Sequence, residues 1–148
     1  MLKHTYLLES GIWVSEGNYY DQKEQKIPIT GKTEIIHQSE FWMIQSSMAL
    51  NLPDQVILTS RFELKPFKNG DTVADWVSFH ENLGEIQGEF ALVEDTILSE
   101  FSGVEQSVKG SEVLTQIDKN TYSSRGVFIL RGKKFSSWAV TLKRESMV

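Results

Sequence analysis

The sequence predicts an all-β protein: one antiparallel up-and-down β-barrel of about eight to ten strands, with a short N-terminal helix or arm. Three observations carry this. Apolar residues alternate with a period near two along most of the chain. The alternating segments follow one another across short joints rich in Asp, Asn and Gly. An open meander of that many strands would expose two edges, which closure removes.

The elements follow in order. LKHTYLLE, before Gly11, has room for a helical turn or two or an extended arm. GIWVSEGNYY (Gly11–Tyr20) reads as the first strand, followed by TGKTEIIHQ and FWMIQSSMAL. In QVILTSRFEL, Val56, Leu58, Phe62 and Leu64 share one parity and face the core, which sends Arg61 to solvent. TVADWVSFH, EIQGEFALV, TILSEFS, SEVLTQI, TYSSRGVFIL and KFSSWAVTLKR complete the set. VEDTI and DKNTY place Asp and Asn where tight turns favour them, and LRGKKF supplies a Gly able to take positive φ. PFKNGDT carries Asn69-Gly70, a strong hairpin dipeptide. Pro53 and Pro66 stand at segment edges, where a missing N–H does little harm.

The 148 residues fit one domain, 1–148, and a 40% apolar content suffices for a core. A net charge of -5 argues against nucleic acid and against anionic membrane surfaces, both of which call for a basic face. Without cysteine there is no disulfide, thiolate nucleophile or Cys-bearing zinc site. The N-terminus lacks a long apolar region with a small-residue cleavage site, and no run reaches membrane-spanning length. The expectation is a soluble, cytoplasmic protein without membrane insertion, monomeric or homodimeric.

Gly11-Ile12-Trp13, opening the first strand, resembles the Gly-x-Trp of the calycin superfamily: lipocalins, fatty-acid-binding proteins and their bacterial relatives. That resemblance implies that Trp13 plugs one barrel end and that a basic residue of the last strand, Lys143 or Arg144 in SSWAVTLKR, packs on it. It implies a lipocalin-like domain enclosing a small hydrophobic or amphipathic ligand. The absence of cysteines and of a secretion signal departs from secreted lipocalins, and about ten strands lean toward the intracellular branch. The Arg-x-Tyr of fatty-acid-binding proteins is absent from the last strand.

Aromatic residues occur on nearly every strand: Trp13, Tyr19, Trp42, Trp76, Phe79, Phe90, Phe101, Tyr122, Phe128 and Trp138. Each could simply fill the core; as a set they suit the wall of an apolar cavity. Tyr19, Trp42, Trp76, Phe90, Phe101, Tyr122, Arg125 and Phe128 are the expected ligand-binding residues. Arg125 is included because interior arginines hold carboxylates in the fatty-acid-binding relatives, although neither face of its strand is cleanly apolar. Small residues expected to face inward, Ser15, Gly17, Gly88 and Ser99, would leave space between the rings, giving a cavity enclosed or open at one end.

His4, His37 and His80 lack metal-ligand spacing. One haem-binding branch of such barrels uses a single histidine, for which His80 and then His37 are best placed, but the expectation is no metal, haem or other cofactor. Glu81, Glu85 and Glu89, and Glu94, Asp95 and Glu100, are carboxylate groupings that twenty acidic residues produce by chance. No Gly-x-Ser-x-Gly elbow or phosphate-binding Gly loop is present, so no catalytic residue is assigned. Two alternatives to ligand binding stand. One is a small barrel enzyme acting on a phenolic or carboxylate substrate through Tyr19, Tyr122, Arg125 and Glu112. The other is a structural or interaction barrel with a filled interior.

Overall fold

The computed structural model describes residues 3–80, 83–105 and 107–145. Ten strands form a closed antiparallel barrel: β1 (Gly11–Tyr20), β2 (Lys26–His37), β3 (Trp42–Leu50), β4 (Val56–Leu64), β5 (Val73–His80), β6 (Gly84–Val93), β7 (Thr96–Gly103), β8 (Val108–Asp118), β9 (Thr121–Leu130) and β10 (Lys133–Arg144). Each pairs with its neighbour in sequence. β1 against β10 closes the ring, with Trp13 opposite Arg144 and Tyr20 opposite Ser137. The turns follow local chemistry. Arg131 (φ 50) and Gly132 (φ 78) both take positive φ between β9 and β10, the twist a tight hairpin requires. Asp118 Oδ1 accepts from Asn120 N (2.8 Å) between β8 and β9. No helix long and apolar enough to cross a membrane occurs among the described residues.

Alternation assigns the faces. Inward stand the odd residues of β1, β2 and β7 and the even residues of β3, β4, β5, β6, β8 and β9, as burial and register together require. On β10 the register shifts between Lys134 and Ser136, after which Ser136, Trp138, Val140 and Leu142 face inward.

Residues 3–10 form an arm rather than a helix. A single backbone turn, Glu9 N to Thr5 O (3.0 Å), bends it, and Leu7 has φ 72. The arm drives Leu7 and Tyr6 into one end of the barrel, where both are buried with Trp13 and Tyr122. Tyr6, Trp13 and Tyr122 meet ring to ring at 5.3–5.7 Å, distances at which edge-to-face pairs are favourable. The arm satisfies its polar groups on the rim. His4 Nε2 donates to Glu94 O (2.7 Å), Tyr122 hydroxyl bonds His4 Nδ1 (2.8 Å), and Gln116 Nε2 donates to Lys3 O (3.0 Å). This end is closed.

Candidate functional site: the open half of the lumen

Trp13 is 0% exposed, and the Arg144 guanidinium stands over its ring at 5.9 Å. Arg144 also donates to Glu9 Oε1 (2.8 Å) and Ser10 O (2.9 Å), tying the arm to the last strand. Lys143, the other basic candidate, has outward parity and is exposed. Since Arg144 is directly opposite Trp13 in the ladder, register selects it.

The opposite end differs. Val56 and Leu58 face inward on β4 yet are 39% and 43% exposed, and Ser60 is exposed beside them. Inward-facing Tyr19, Met48, Phe62, Phe101, Phe128, Leu130 and Trp138 are only half-buried. Trp42 and Leu92 at the plugged end are also half-buried, but the inward apolar residues with the greatest exposure, Val56 and Leu58, are at this end, which makes it the mouth. The cause is the uneven wall: β3 and β4 pair along nine residues, but β4 and β5 pair only at Phe62–Ser78, Glu63–Val77 and Leu64–Trp76. Beyond Ser78 the two strands part.

Below the mouth lies a belt of aromatic rings. Phe62 stacks on Trp76 (4.7 Å, 13°), Trp76 meets Phe101 (5.5 Å), Phe101 meets Phe128 (5.1 Å) and Phe128 meets Trp138 (5.8 Å). Glycines on adjacent strands make this possible. A Cβ at Gly88 would strike the Trp76 ring, one at Gly110 the Phe101 ring, and one at Gly126 the Trp138 ring. The rings lie flat on the wall where a side chain is missing. Gly88 is therefore not the empty space expected from its size: an indole fills it.

Among the described residues, one carboxyl enters the lumen. Glu112 on β8 faces inward, and its Oε2 accepts from the Ser124 hydroxyl (2.8 Å) and from Trp138 Nε1 (3.2 Å). Trp138 Nε1 also lies 3.2 Å from Ser124 Oγ, completing a triangle over β8, β9 and β10. Burial pushes the Glu112 carboxyl above its ordinary value of 4.5, while the bonds from Ser124 and Trp138 pull it down. The Tyr6 phenol is pushed far up, first by burial and then by the Glu112 charge, so Glu112 and the floor of the lumen share one electrostatic environment. A second polar pair, Trp76 Nε1 donating to Ser99 Oγ (3.1 Å), stands beside that carboxyl, since Ser99 on β7 is the cross-strand partner of Glu112.

The structure gathers part of the predicted set. Trp76, Phe90, Phe101 and Phe128 line the lumen, and Tyr19 lies toward the mouth against Ile27, Ile29, Leu50 and Val140. Trp42 is at the closed end, stacked on His37 (3.7 Å, 11°), whose Nε2 donates to Leu7 O (2.8 Å). Tyr122 is wholly buried, its hydroxyl held by His4 and Thr5 N. Arg125 is a correction. It is exposed on the outer face, donating to Ser123 Oγ and Ser124 O, because the register opposite Val113 and Ala139 gives it outward parity. Phe79 is likewise outward, 74% exposed. Tyr19, Tyr122, Arg125 and Glu112 are thus not brought together. Glu81 lies outside the described residues. Phe62, expected only to face the core, and Ser124 are not among the expected ligand-binding residues. The signal for Phe62 was its parity with Leu64; for Glu112 it was parity with Leu114 in SEVLTQI.

Two grooves on the outer wall do not compete with the lumen. One is lined largely by outward polar residues, Glu63, Lys65, Asp75, Gln87, Glu89 and Glu100, and the other mixes Glu16, Asn18, Thr30 and Asn51 with Pro28, Ala49 and Leu52. No group of three metal-ligating side chains is found among the described residues.

A closed up-and-down barrel of ten strands with one end plugged by its N-terminal arm is a calycin-like architecture. The structure is similar to the S-type phycobiliprotein lyase CPES of Guillardia theta: TM-score 0.67 and 11% identity, over 97% of this chain and 92% of that one. Weaker likenesses join a protein described as AttH from Nitrosomonas europaea (TM-score 0.33, 12% identity, 95% of this chain and 52% of that one) and an N-terminal dehydratase of a difficidin assembly line (TM-score 0.29, 8% identity, 96% and 80%). No protein-family model and no curated protein matches the sequence.

Proposed function

We propose that this protein is a lipocalin-like binding barrel of the bacterial or fatty-acid-binding type, holding a small amphipathic molecule in the open half of its lumen. The apolar body of the ligand packs on the aromatic belt, and a hydrogen-bond-donating or cationic head meets Glu112. The observation that carries this is the pairing of inward-facing apolar residues that water reaches, Val56 and Leu58, with the inward carboxyl of Glu112, anchored by Ser124 and Trp138. Exposed apolar wall gains about 25 cal/mol per Å² when a ligand covers it. Oε1 of Glu112 carries no bond to the protein among the described residues, leaving an acceptor for the head group. The likeness to a phycobiliprotein lyase supports the shape of the container; the choice of ligand rests on Glu112. Ring-to-ring contacts in the belt favour a filled interior as the second reading, and the solvent-reached mouth counts against it.

The test uses N-phenyl-1-naphthylamine, a neutral apolar fluorophore, at pH 8. The native protein takes it up, and dodecylamine displaces it at least about tenfold more tightly than dodecanoate, a difference of about 1.4 kcal/mol. Glu112→Gln abolishes that preference while still binding the fluorophore. Failure of the native protein to take up the fluorophore defeats the binding reading. Equal competition by amine and acid removes Glu112 from it.

A further inference from the structure

We propose that β4 is a self-pairing edge: two copies of this chain join antiparallel through Val56–Ser60, extending the sheet β3-β4 of one protomer into the β4-β3 of its partner. The strand has a partner on one side only along this stretch. β3 pairs with every residue of β4, whereas the β4–β5 ladder ends at Phe62–Ser78. Ser78 Oγ donates to Arg61 O (2.9 Å), so the free edge begins at Ser60. Among the described residues, no hydrogen bond outside the β3 ladder reaches Val56–Ser60. Each of these residues is exposed, Ile57 to 61%.

Edges of this kind are normally blunted by lysine, proline, a bulge or a covering loop. Val-Ile-Leu-Thr-Ser has none of the first two, the ladder to β3 runs without a register shift, and nothing described covers it. It is also uncharged in a chain of net charge -5, so two copies approach here without like charges in contact. That favours a second copy over a foreign strand, for which a charged edge would supply the selection.

Symmetry fixes the register. In an antiparallel pair the residues opposite one another share a face, and a two-fold axis through Leu58 is the arrangement that covers the whole of Val56–Ser60. Leu58 then faces Leu58 of the partner subunit, Val56 faces the partner's Ser60, and Ile57 faces the partner's Thr59. Arg61 stays outside the seam, which keeps two guanidinium groups apart. Val56 and Leu58, the exposed inward residues of the mouth, become covered, so pairing also narrows the entrance to the lumen.

The chain has no cysteine, so single introduced thiols report the seam directly. Across an antiparallel pair Cα atoms lie about 4.5–5.5 Å apart, inside the span of a disulfide. Residues two positions off the axis pair lie beyond roughly 7 Å, outside it. Sedimentation equilibrium of the unmodified protein is expected to show a concentration-dependent dimer. Under mild oxidation Leu58→Cys forms a covalent dimer at least tenfold faster than Thr59→Cys or the outer-wall control Ile117→Cys. The double variant Ile57→Lys/Leu58→Lys, with its fold checked by circular dichroism, sediments as a monomer. A protein that stays monomeric at several hundred micromolar overturns the proposal and leaves the edge to a strand from another protein. So does a dimer in which Leu58→Cys cross-links no faster than Ile117→Cys, or one that survives both lysines in a folded variant. If the lysine variant does not fold, the cysteine comparison alone decides.

Discussion

Gly126→Ala tests whether wall glycines position the aromatic belt. Gly126 faces inward on β9 opposite Trp138, and an added Cβ would collide with Cζ2 and Cε2 of that indole. Ordinary carbon contacts need about 3.5–4.0 Å, so the ring must back away by more than 1 Å or so. Overpacking of this kind costs about 1–3 kcal/mol. The displaced indole also loses its bonds to Glu112 Oε2 and Ser124 Oγ, and a hydrogen bond to a charged group is worth about 1.5–3 kcal/mol. The displaced ring recovers part of this by meeting water at the mouth, so the expected loss is about 2–4 kcal/mol in urea unfolding with an unchanged m-value. In a Trp138→Leu background the same methyl meets no indole, and its cost should drop below about 1 kcal/mol. A loss under about 0.5 kcal/mol in the parent protein, or an equal cost in both backgrounds, would show that the ring does not depend on the missing Cβ.

Glu112 makes stability depend on pH in a set direction. Its folded carboxyl titrates above the ordinary 4.5, so the folded state holds more protons than the unfolded one just above that value. Its contribution is complete below pH 4.5 and is lost as pH rises from there through the folded value. Urea midpoints compared between parent and Glu112→Gln at pH 4 and pH 8 should show the variant gaining relative to the parent at the higher pH; a constant difference contradicts the raised titration. Tyr122→Phe removes the hydroxyl that holds His4 Nδ1 and Thr5 N. It should cost about 1–3 kcal/mol, and amide exchange should accelerate in residues 4–9 while the barrel ladders stay protected. Uniform protection would mean that packing of Leu7 and Tyr6 alone holds the arm.

The alternation of side chains by itself determined much of this protein. Period-two patterning and Asp, Asn and Gly at the joints placed ten strands, with β1, β9 and β10 within a residue of their observed limits. The same alternation put Trp13, Ser15, Gly17, Gly88 and Ser99 on the inner face and Arg61 on the outer one. These are local properties: successive Cβ atoms point to opposite sides whatever lies across the sheet. The tertiary structure decided what depends on which strand stands opposite which. Parity with Val140 and Leu142 already separates Arg144 from Lys143, but register set Arg144 directly opposite Trp13 and turned Arg125 outward from a strand whose two faces look equally mixed. It laid the Trp76 and Trp138 indoles into the places of Gly88 and Gly126 and brought Ser124 to Glu112 from a neighbouring strand. The length of the β4–β5 ladder, and hence the mouth and the free edge, is set by how far two strands stay side by side around a closing barrel. That is a global constraint of twist and closure, which no stretch of residues encodes alone.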